Sequence, residues 1–285
     1  MKKDEKWKSL ISKYLKDFLS FFMPDLYKEV DFDKGYEFLD GELNKIKIDS
    51  KSKNKRSDRL VKLFLKNGSE QYLLVHIEIQ GYFEEDFSKC MFKYFYRVAD
   101  LHNSYNITAI SVYTEDKEDF KPNTFTHNLF GTELTYKFNI YKVLEQKEKA
   151  LKESNNIFAF VVLSVLYSLK AKNNQKTKLG FKVELTKLLI NKKYSEEDIL
   201  ELFEFINLFL NFKNEKYDNL FYEELDKMPK TKEKESLSSY DKFLLKKRNH
   251  EIVINMLKIG LDIKVISQAT DLTVTEIEEL KKNLK

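Results

Sequence analysis

The chain has 285 residues, of which 42% are hydrophobic and 34% are charged. That length and apolar content suit one large domain or two modest ones with a sizeable core. The charges nearly balance, with 50 basic against 46 acidic side chains and a net charge of +4, so nucleic-acid binding is permitted without being required. The single cysteine, Cys90, excludes an internal disulfide and a cysteine-rich zinc site, and its apolar helical position predicts core packing.

The N-terminal sequence and the length of the apolar runs indicate the cellular location of the protein. Residues 1–7 lead into an amphipathic helix rather than a plain apolar segment, so no secretory signal is expected. The longest apolar run, 157–169, includes two serines and is shorter than the roughly 20 residues that a membrane helix needs. We therefore expect a cytoplasmic protein with no membrane partner.

The first half of the chain alternates between helical and strand patterns, and the scarcity of Gly and Pro favours long regular elements. The predicted elements are a helix over 5–22 that Pro24 ends, extended chain over 36–48 interrupted near Asp40-Gly41, a basic loop over 49–57, a β-hairpin over 59–80, a helix over 84–103, a buried strand over 107–113 and, after a loop at 115–130, a strand over 133–143.

From about residue 145 the pattern becomes helical throughout. Helices are predicted over 156–171, 178–191 and 195–213, a linker over 228–239, and short helices over 252–284. The last two of these, 263–269 and 273–284, resemble a small helix-turn-helix, but the acidic start of the second helix favours a packing or partner role over DNA reading. We expect an α/β domain over 1–145, a helical domain over 146–228, and a linker with a helix-turn-helix-like segment over 229–285.

The hairpin combines two acidic positions that suggest a chemical site. Side chains alternate faces along a strand, so Glu78 and Gln80 share the face opposite the apolar positions of 71–80. A turn of two to four residues predicts a register with Asp58 opposite residues 77–79, which brings Asp58 and Glu78 to one sheet edge. Two mutually repelling carboxylates suit a hard cation such as Mg²⁺ and predict metal-assisted phosphodiester hydrolysis. The alternative is that both are solvated on the wet face of an antiparallel sheet.

The predicted αβββαβ order, with Asp at the start of one strand and Glu-x-Gln on the next, resembles the PD-(D/E)XK nuclease superfamily. Within that superfamily the chain is similar to the recombination-promoting nucleases and transposase-like proteins. The matching segments are Phe22-Met-Pro-Asp25, Phe38-Leu-Asp-Gly-Glu42, Arg56-Ser-Asp58, His76-Ile-Glu-Ile-Gln80, Phe92-Lys-Tyr-Phe-Tyr-Arg97 and the helical stretch 156–163. The resemblance implies an α/β fold, a restriction-endonuclease-like αβββαβ core followed by an all-α C-terminal region.

The same resemblance implies residue roles. Asp58 and Glu78 would bind Mg²⁺, with Mn²⁺ as a substitute, and Gln80 would orient water or substrate. Glu42 is a candidate supporting acid, and a solvent-facing strand residue is the rival interpretation. The superfamily usually has Lys where this chain has Gln80, and a neutral amide cannot stabilise developing negative charge as Lys does. Cys90 stands where a basic residue is expected, which removes one phosphate contact.

Five basic residues are candidates for binding the DNA backbone: Lys53, Lys55, Arg56, Lys93 and Arg97. The first three belong to a run directly before Asp58, and the last two lie one turn apart on the helix predicted over 84–103. Plain solvated surface explains both groups as well.

Two functional hypotheses follow from these residues. The first is a Mg²⁺-dependent DNA endonuclease tied to recombination or mobile elements, for which cutting both strands would call for a homodimer. The second is a catalytically weak protein of nuclease fold that binds nucleic acid or a protein partner.

Overall fold

A computed structural model of the chain describes residues 2–45, 59–78, 87–114, 123–192, 194–229, 231–232, 234–237, 252–270 and 272–282. Within these residues a mixed five-stranded sheet is followed by a helical region, which confirms the coarse α/β class with a helical C-terminal part. None of the described helices combines the length and apolar character needed to cross a bilayer.

The helix predicted over 5–22 forms two helices, and a third helix begins at Pro24. These are α1 (Lys3–Lys13), α2 (Leu15–Phe22) and α3 (Pro24–Glu29). The backbone of Tyr14 leaves the helical region and separates α1 from α2. Pro24 ends α2 as expected, but it also begins α3, because the missing N–H of proline costs nothing in the first turn of a helix.

The five strands of the main sheet follow the order β1-β2-β3-β4-β7. The first three pair antiparallel, whereas β4 pairs parallel with β3 and β7 pairs parallel with β4. Their bounds are β1 (Tyr36–Phe38), β2 (Arg59–Phe64), β3 (Glu70–Glu78), β4 (Ile107–Tyr113) and β7 (Asn139–Lys142). Helix α5 (Phe87–His102) makes the crossover between the parallel strands β3 and β4.

The prediction of extended chain over 36–48 is wrong beyond β1. Residues Asp40–Lys45 form a short helix, α4, and 46–48 lie outside the described residues. The Asp40 carboxylate accepts a hydrogen bond from the backbone N–H of Leu60 (3.4 Å) and pairs with the guanidinium of Arg59. These contacts with β2 are long-range in sequence, so strand propensity alone could not reveal the helix.

The predicted hairpin is confirmed, but its register differs from the expected one. A three-residue loop, 66–68, is closed by the backbone N–H of Leu65, which donates to Ser69 (2.9 Å). Arg59 therefore lies opposite Val75, whereas the predicted register would place it at least one residue further along β3. The pairing begins directly beside the loop, so the short turn sets the register of the whole hairpin.

Both faces of the sheet are covered, because successive side chains of each strand point in opposite directions. One face packs against α5 through Leu60, Tyr72, Leu74, Ala109 and Tyr113, with Met91, Tyr94 and Val98 from the helix. The other face belongs to one cluster with α1, α2 and the helical region, through Val61, Leu63, Leu73, Val75, Ile110 and Val112. Cys90, predicted to be a core residue, is half-buried at the side of α5.

A second hairpin replaces part of the predicted loop at 115–130. Strand β5 (Thr124–Leu129) pairs antiparallel with β6 (Thr132–Lys137), and Phe138 separates β6 from β7, so 133–143 is not one strand. The aromatic side chains that pack on α5 stabilise this hairpin, and they do not give a strong apolar alternation in the sequence.

The second half contains eight described helices besides a short helical stretch at 234–237. They are α6 (Glu148–Glu153), α7 (Ile157–Ala171), α8 (Gln175–Asn191), α9 (Glu196–Phe209), α10 (Glu215–Asp226), α11 (252–258), α12 (Ile263–Ala269) and α13 (Val274–Lys282). Four of these helices differ from the prediction. Helix α8 begins earlier, after the capping side chain of Asn174, and α9 ends earlier, while α6 and α10 were not predicted.

The hydrophobic core extends across the predicted boundary at residue 145. Helix α7 is apolar on nearly all sides and lies in the same buried cluster as α1, α2, α9 and the sheet. Leu237, in the segment predicted as a linker, is also buried in this cluster. A separate small cluster joins α11, α12 and α13, and the division into three domains stays a prediction.

Replacing Gly68 by Ala is expected to lower the free energy of unfolding by about 1 kcal/mol. Gly68 closes the β2–β3 loop with φ +87°, a backbone region where a Cβ is strained. The matched control is Gly180→Ala in the middle of α8, where the added Cβ meets no neighbour and the stability should rise. Urea denaturation measures both changes, and equal signs for the two variants would contradict the loop assignment.

Candidate functional site

Strands β1, β2, β3 and β4 each have one terminus on the same side of the sheet, the side where β3 and β4 end. Because β3 and β4 are parallel, Glu78 and Tyr113 lie opposite each other where both strands end. The antiparallel neighbours place Phe38 at the end of β1 and Arg59 at the start of β2 on the same side of the sheet. Crevices beyond the carboxyl ends of parallel strands are common ligand sites.

The main candidate residues are attached to this edge. Glu78 is the last residue of β3, and for residues 76–78 the structure describes the backbone alone. In sequence, Asp58 immediately precedes the first residue of β2, and Gln80 follows Glu78 by two positions. Asp58 and Gln80 lie outside the described residues, as do the predicted DNA contacts Lys53, Lys55 and Arg56.

Arg59 fixes the start of β2. Its guanidinium pairs with Asp40 in α4 and donates to the backbone oxygen of Lys8 (2.8 Å) and to Oγ of Ser12 (2.5 Å) in α1. It also lies over the ring of Phe38, 4.9 Å from the centroid. The residue next to Asp58 is therefore held by three separate elements. Sequence reasoning missed Arg59 because its partners are far away in the chain.

Glu42 does not lie with Glu78 but contacts His102 at the end of α5. One oxygen of its carboxylate is 3.0 Å from Nε2 of His102, which is the distance of an ion pair, but the angles are not those of a hydrogen bond. Neither atom has a hydrogen-bond partner among the described residues. The His102 ring stacks on Tyr72, with centroids 4.3 Å apart. Tyr72 precedes Glu78 by six positions, or about 20 Å of strand. The structure thus joins Glu42 to the far end of α5 and not to the end of β3.

A polar group at the start of β3 sits beside this contact. Glu70 pairs with Lys62 across the hairpin (2.8 Å) and accepts a hydrogen bond from the hydroxyl of Tyr72 (3.3 Å). The hydrogen bond from Lys62 holds the pKa of Glu70 below its ordinary value, and the same contact raises the pKa of Lys62. Burial raises the pKa of the Tyr72 hydroxyl. Glu70 is thus an ion-paired carboxylate at the opposite end of the strand that Glu78 ends.

Ser111 is a buried hydroxyl that sequence reasoning did not single out. It lies on β4, two positions before Tyr113, and is completely buried. Its Oγ has no hydrogen-bond partner among the described residues. Leaving such a group unpaired costs about 1–3 kcal/mol, so it is an available polar contact close to the end of β4. A serine inside an apolar strand pattern, Ile107–Tyr113, was the available signal.

Lys93 and Arg97 lie on α5 as predicted, one turn apart. Lys93 is exposed and Arg97 is half-buried. Lys89 continues the same row one turn earlier and is exposed, which the four-residue spacing in the sequence would have shown. The buried residues of α5, such as Met91 and Val98, point toward the sheet, so this basic row faces away from it.

The described residues contain no group of three or more His, Cys, Asp or Glu side chains that is close enough to hold a metal ion. Comparisons with protein-family models, with curated proteins and with solved structures found no match. Support for a function therefore comes from the sequence resemblance and from the placement of the strand ends.

Proposed function

We propose that the protein is a cytoplasmic Mg²⁺-dependent endodeoxyribonuclease with a restriction-endonuclease-like core. One observation supports this proposal above all: the strand that Asp58 precedes and the strand that Glu78 ends are hydrogen-bonded neighbours, and both have these termini at one edge of the sheet. The element order also supports the proposal. Helices α1 to α3, then β1, β2, β3, α5 and β4, follow the αβββαβ order that the resemblance implies, with the short helix α4 added between β1 and β2.

The donor set suits Mg²⁺ rather than a softer metal. Asp58 and Glu78 would bind the ion through carboxylate oxygens, which are the hard ligands that Mg²⁺ and Mn²⁺ prefer. A bound Mg²⁺ supplies Lewis acidity at the scissile phosphate and lowers the pKa of a coordinated water. In this proposal Gln80 orients the attacking water by a hydrogen bond.

The surrounding residues position the site. Arg59 ties the start of β2 to α1 and α4, so the backbone next to Asp58 is held in place. Glu42 acts in this proposal as a positioning residue, because its contact with His102 holds α4 against α5. The ladder between β3 and β4 fixes the backbone of Glu78 opposite Tyr113.

Replacing Lys93 by Gln is expected to weaken DNA binding equally for all sequences and to reduce the salt dependence of log K by about 1. The exposed ammonium group of Lys93 would neutralise one backbone phosphate. The matched control is Lys149→Gln on α6, which removes another exposed positive charge, one that pairs with Glu153 at 3.9 Å. Fluorescence anisotropy with labelled duplex DNA over a range of salt concentrations measures both slopes. Equal slopes for Lys93→Gln and wild type would contradict a phosphate contact.

Cleavage of supercoiled plasmid tests the proposed activity. Wild-type protein should convert supercoiled DNA to nicked or linear DNA with Mg²⁺ or Mn²⁺, and EDTA should stop the reaction. Linear product formed directly, with a rate that depends on protein concentration, would indicate the homodimer that double-strand cutting requires. Activity linked to recombination or mobile elements rests on the resemblance and would follow from such cleavage.

A binding module is the second candidate, and Gln80 in the place of Lys favours it. Such a protein would bind DNA or a protein partner without cutting DNA under any metal. Inert wild-type protein that still binds duplex DNA would therefore replace the nuclease proposal with this one.

A further inference from the structure

The tip of the β5–β6 hairpin has an unusual turn. Leu129 pairs with Thr132, so the turn consists of Phe130 and Gly131 alone. Both have positive φ, +48° and +83°. Two-residue hairpin turns of this kind favour Asn-Gly or Asp-Gly, because a bulky side chain is strained in the left-handed region. Phe130 is therefore a poor choice for making the turn.

The same residue is also unfavourable for solubility. The Phe130 side chain is 100% exposed, and its neighbour Leu129 is 53% exposed. An apolar ring in water gains nothing from the hydrophobic effect until something covers it. Neither local conformation nor core packing accounts for an aromatic residue here, which points to a contact with another molecule.

The base of the hairpin is held firmly. Phe125 of β5 stacks on Phe92 of α5 with centroids 5.2 Å apart, and Tyr136 of β6 packs against Phe95 at 4.9 Å. Burial of Tyr136 raises the pKa of its hydroxyl, in agreement with a dry contact. The aromatic base holds the hairpin on α5, so the backbone that carries Phe130 is fixed and little of its entropy is lost on binding.

We propose that this hairpin inserts the ring of Phe130 between neighbouring base pairs of duplex DNA, as an apolar wedge. The inference rests on the proposed DNA substrate. The size of the tip favours this partner, because a protein partner buries about 800 Å² per side. One aromatic side chain buries only roughly 150–250 Å², which is enough for a gap between two bases.

The basic groups of the hairpin lie away from its tip. The exposed Lys137 lies opposite Thr124 at the base of the hairpin, and the exposed Lys93 lies on the helix that supports this base. Glu133 is the charged side chain nearest the turn, and its carboxylate accepts a hydrogen bond from the side-chain amide of Asn128 (2.9 Å). The basic groups at the base therefore suit contacts with phosphates outside the inserted tip.

The test compares Phe130→Asn with wild type in binding to a short duplex that contains 2-aminopurine, in EDTA so that no cleavage occurs. Loss of the ring should weaken binding by about tenfold or more and abolish the rise in 2-aminopurine fluorescence that unstacking produces. The melting temperature of this variant should be unchanged or higher, because Asn tolerates the left-handed backbone. Phe130→Trp should retain both signals.

The matched control is Tyr105→Asn, which removes an aromatic side chain that is 81% exposed between α5 and β4 and should leave both signals unchanged. Equal affinity and equal 2-aminopurine fluorescence for wild type and Phe130→Asn would overturn the wedge, as would wild-type protein that does not bind duplex DNA. Wild-type protein that binds through Phe130 but cuts no plasmid would support the wedge while the nuclease proposal fails.

Discussion

Replacing Glu78 by Gln should lower Mg²⁺-dependent DNA cleavage by at least about 100-fold. The amide keeps the size of the side chain but replaces one accepting oxygen by a donating NH₂ group and removes the negative charge that a divalent cation requires. Glu78 ends β3 on the side of the sheet where β2 begins and β4 ends. Plasmid nicking under single-turnover conditions measures the effect, with circular dichroism to show that the fold is retained.

The matched control is Glu70→Gln, at the other end of the same strand. Its carboxylate pairs with Lys62 and lies eight positions from Glu78, so its loss should leave the cleavage rate unchanged. Equal losses of the cleavage rate in the two variants would show that removing either negative charge of β3 lowers the rate. That result would contradict a specific site at Glu78.

Asp58→Asn should reproduce the loss seen for Glu78→Gln, and the double variant should be little worse than either single variant. Both residues would bind the same ion, so removing either one disables the same step. Isothermal titration calorimetry, in which Mn²⁺ is added to the protein, measures the ion binding directly. Retained binding in both single variants would exclude the proposed pair as metal ligands.

Replacing Lys6 by Ala should lower the free energy of unfolding by about 3 kcal/mol. The side chain of Lys6 is 1% exposed, and its Nζ lies 2.6 Å from Glu201 and 2.5 Å from Glu204 on α9. Without the ammonium group, two neighbouring carboxylates remain in a partly buried site with nothing to neutralise them. Urea denaturation measures the change through the fluorescence of Trp7, the single tryptophan, which is completely buried beside Phe158 and Phe205.

The control for this prediction is the triple variant Lys6→Met, Glu201→Gln, Glu204→Gln. It removes all three charges together and keeps the volume of the Lys6 side chain, so most of the stability should return. A loss as large as that of Lys6→Ala would contradict uncompensated charge as the cause of the effect.

The same unfolding experiment examines the domain division. Trp7 reports on the contact of α1 with α7 and α9, and far-ultraviolet circular dichroism reports on all helices. A core shared between the sheet and the helical region should give coincident transitions for the two signals. Separate transitions would support the division into domains that the sequence predicts.

Local patterns were enough for several elements. The alternation around Asn67-Gly68 predicts the β2–β3 hairpin, and the 3.6-residue spacing predicts α5. The apolar runs at 107–113 and 157–171 predict the buried strand β4 and the buried helix α7. Each of these patterns arises because neighbouring side chains alternate or repeat across one short element.

Other elements depend on contacts that local patterns do not contain. Helix α4 forms where Asp40 meets β2, and the register of the hairpin depends on how the loop at 66–68 closes. Strand β5 is polar and exposed along most of its length, so its pairing with β6 and its aromatic contact with α5 stabilise it instead of an apolar alternation.

The candidate site divides in the same way. The residue types Asp, Glu and Gln at the ends of a predicted hairpin were visible in the sequence, and they predict the chemistry of an oxygen-ligated metal. The tertiary structure decided that β2 begins where β3 and β4 end, that Arg59 ties this side of the sheet to α1, and that Glu42 contacts His102 instead. Periodicity reports which face of an element is apolar, whereas the partner of a charged side chain depends on which distant elements the folded chain brings within a few ångströms.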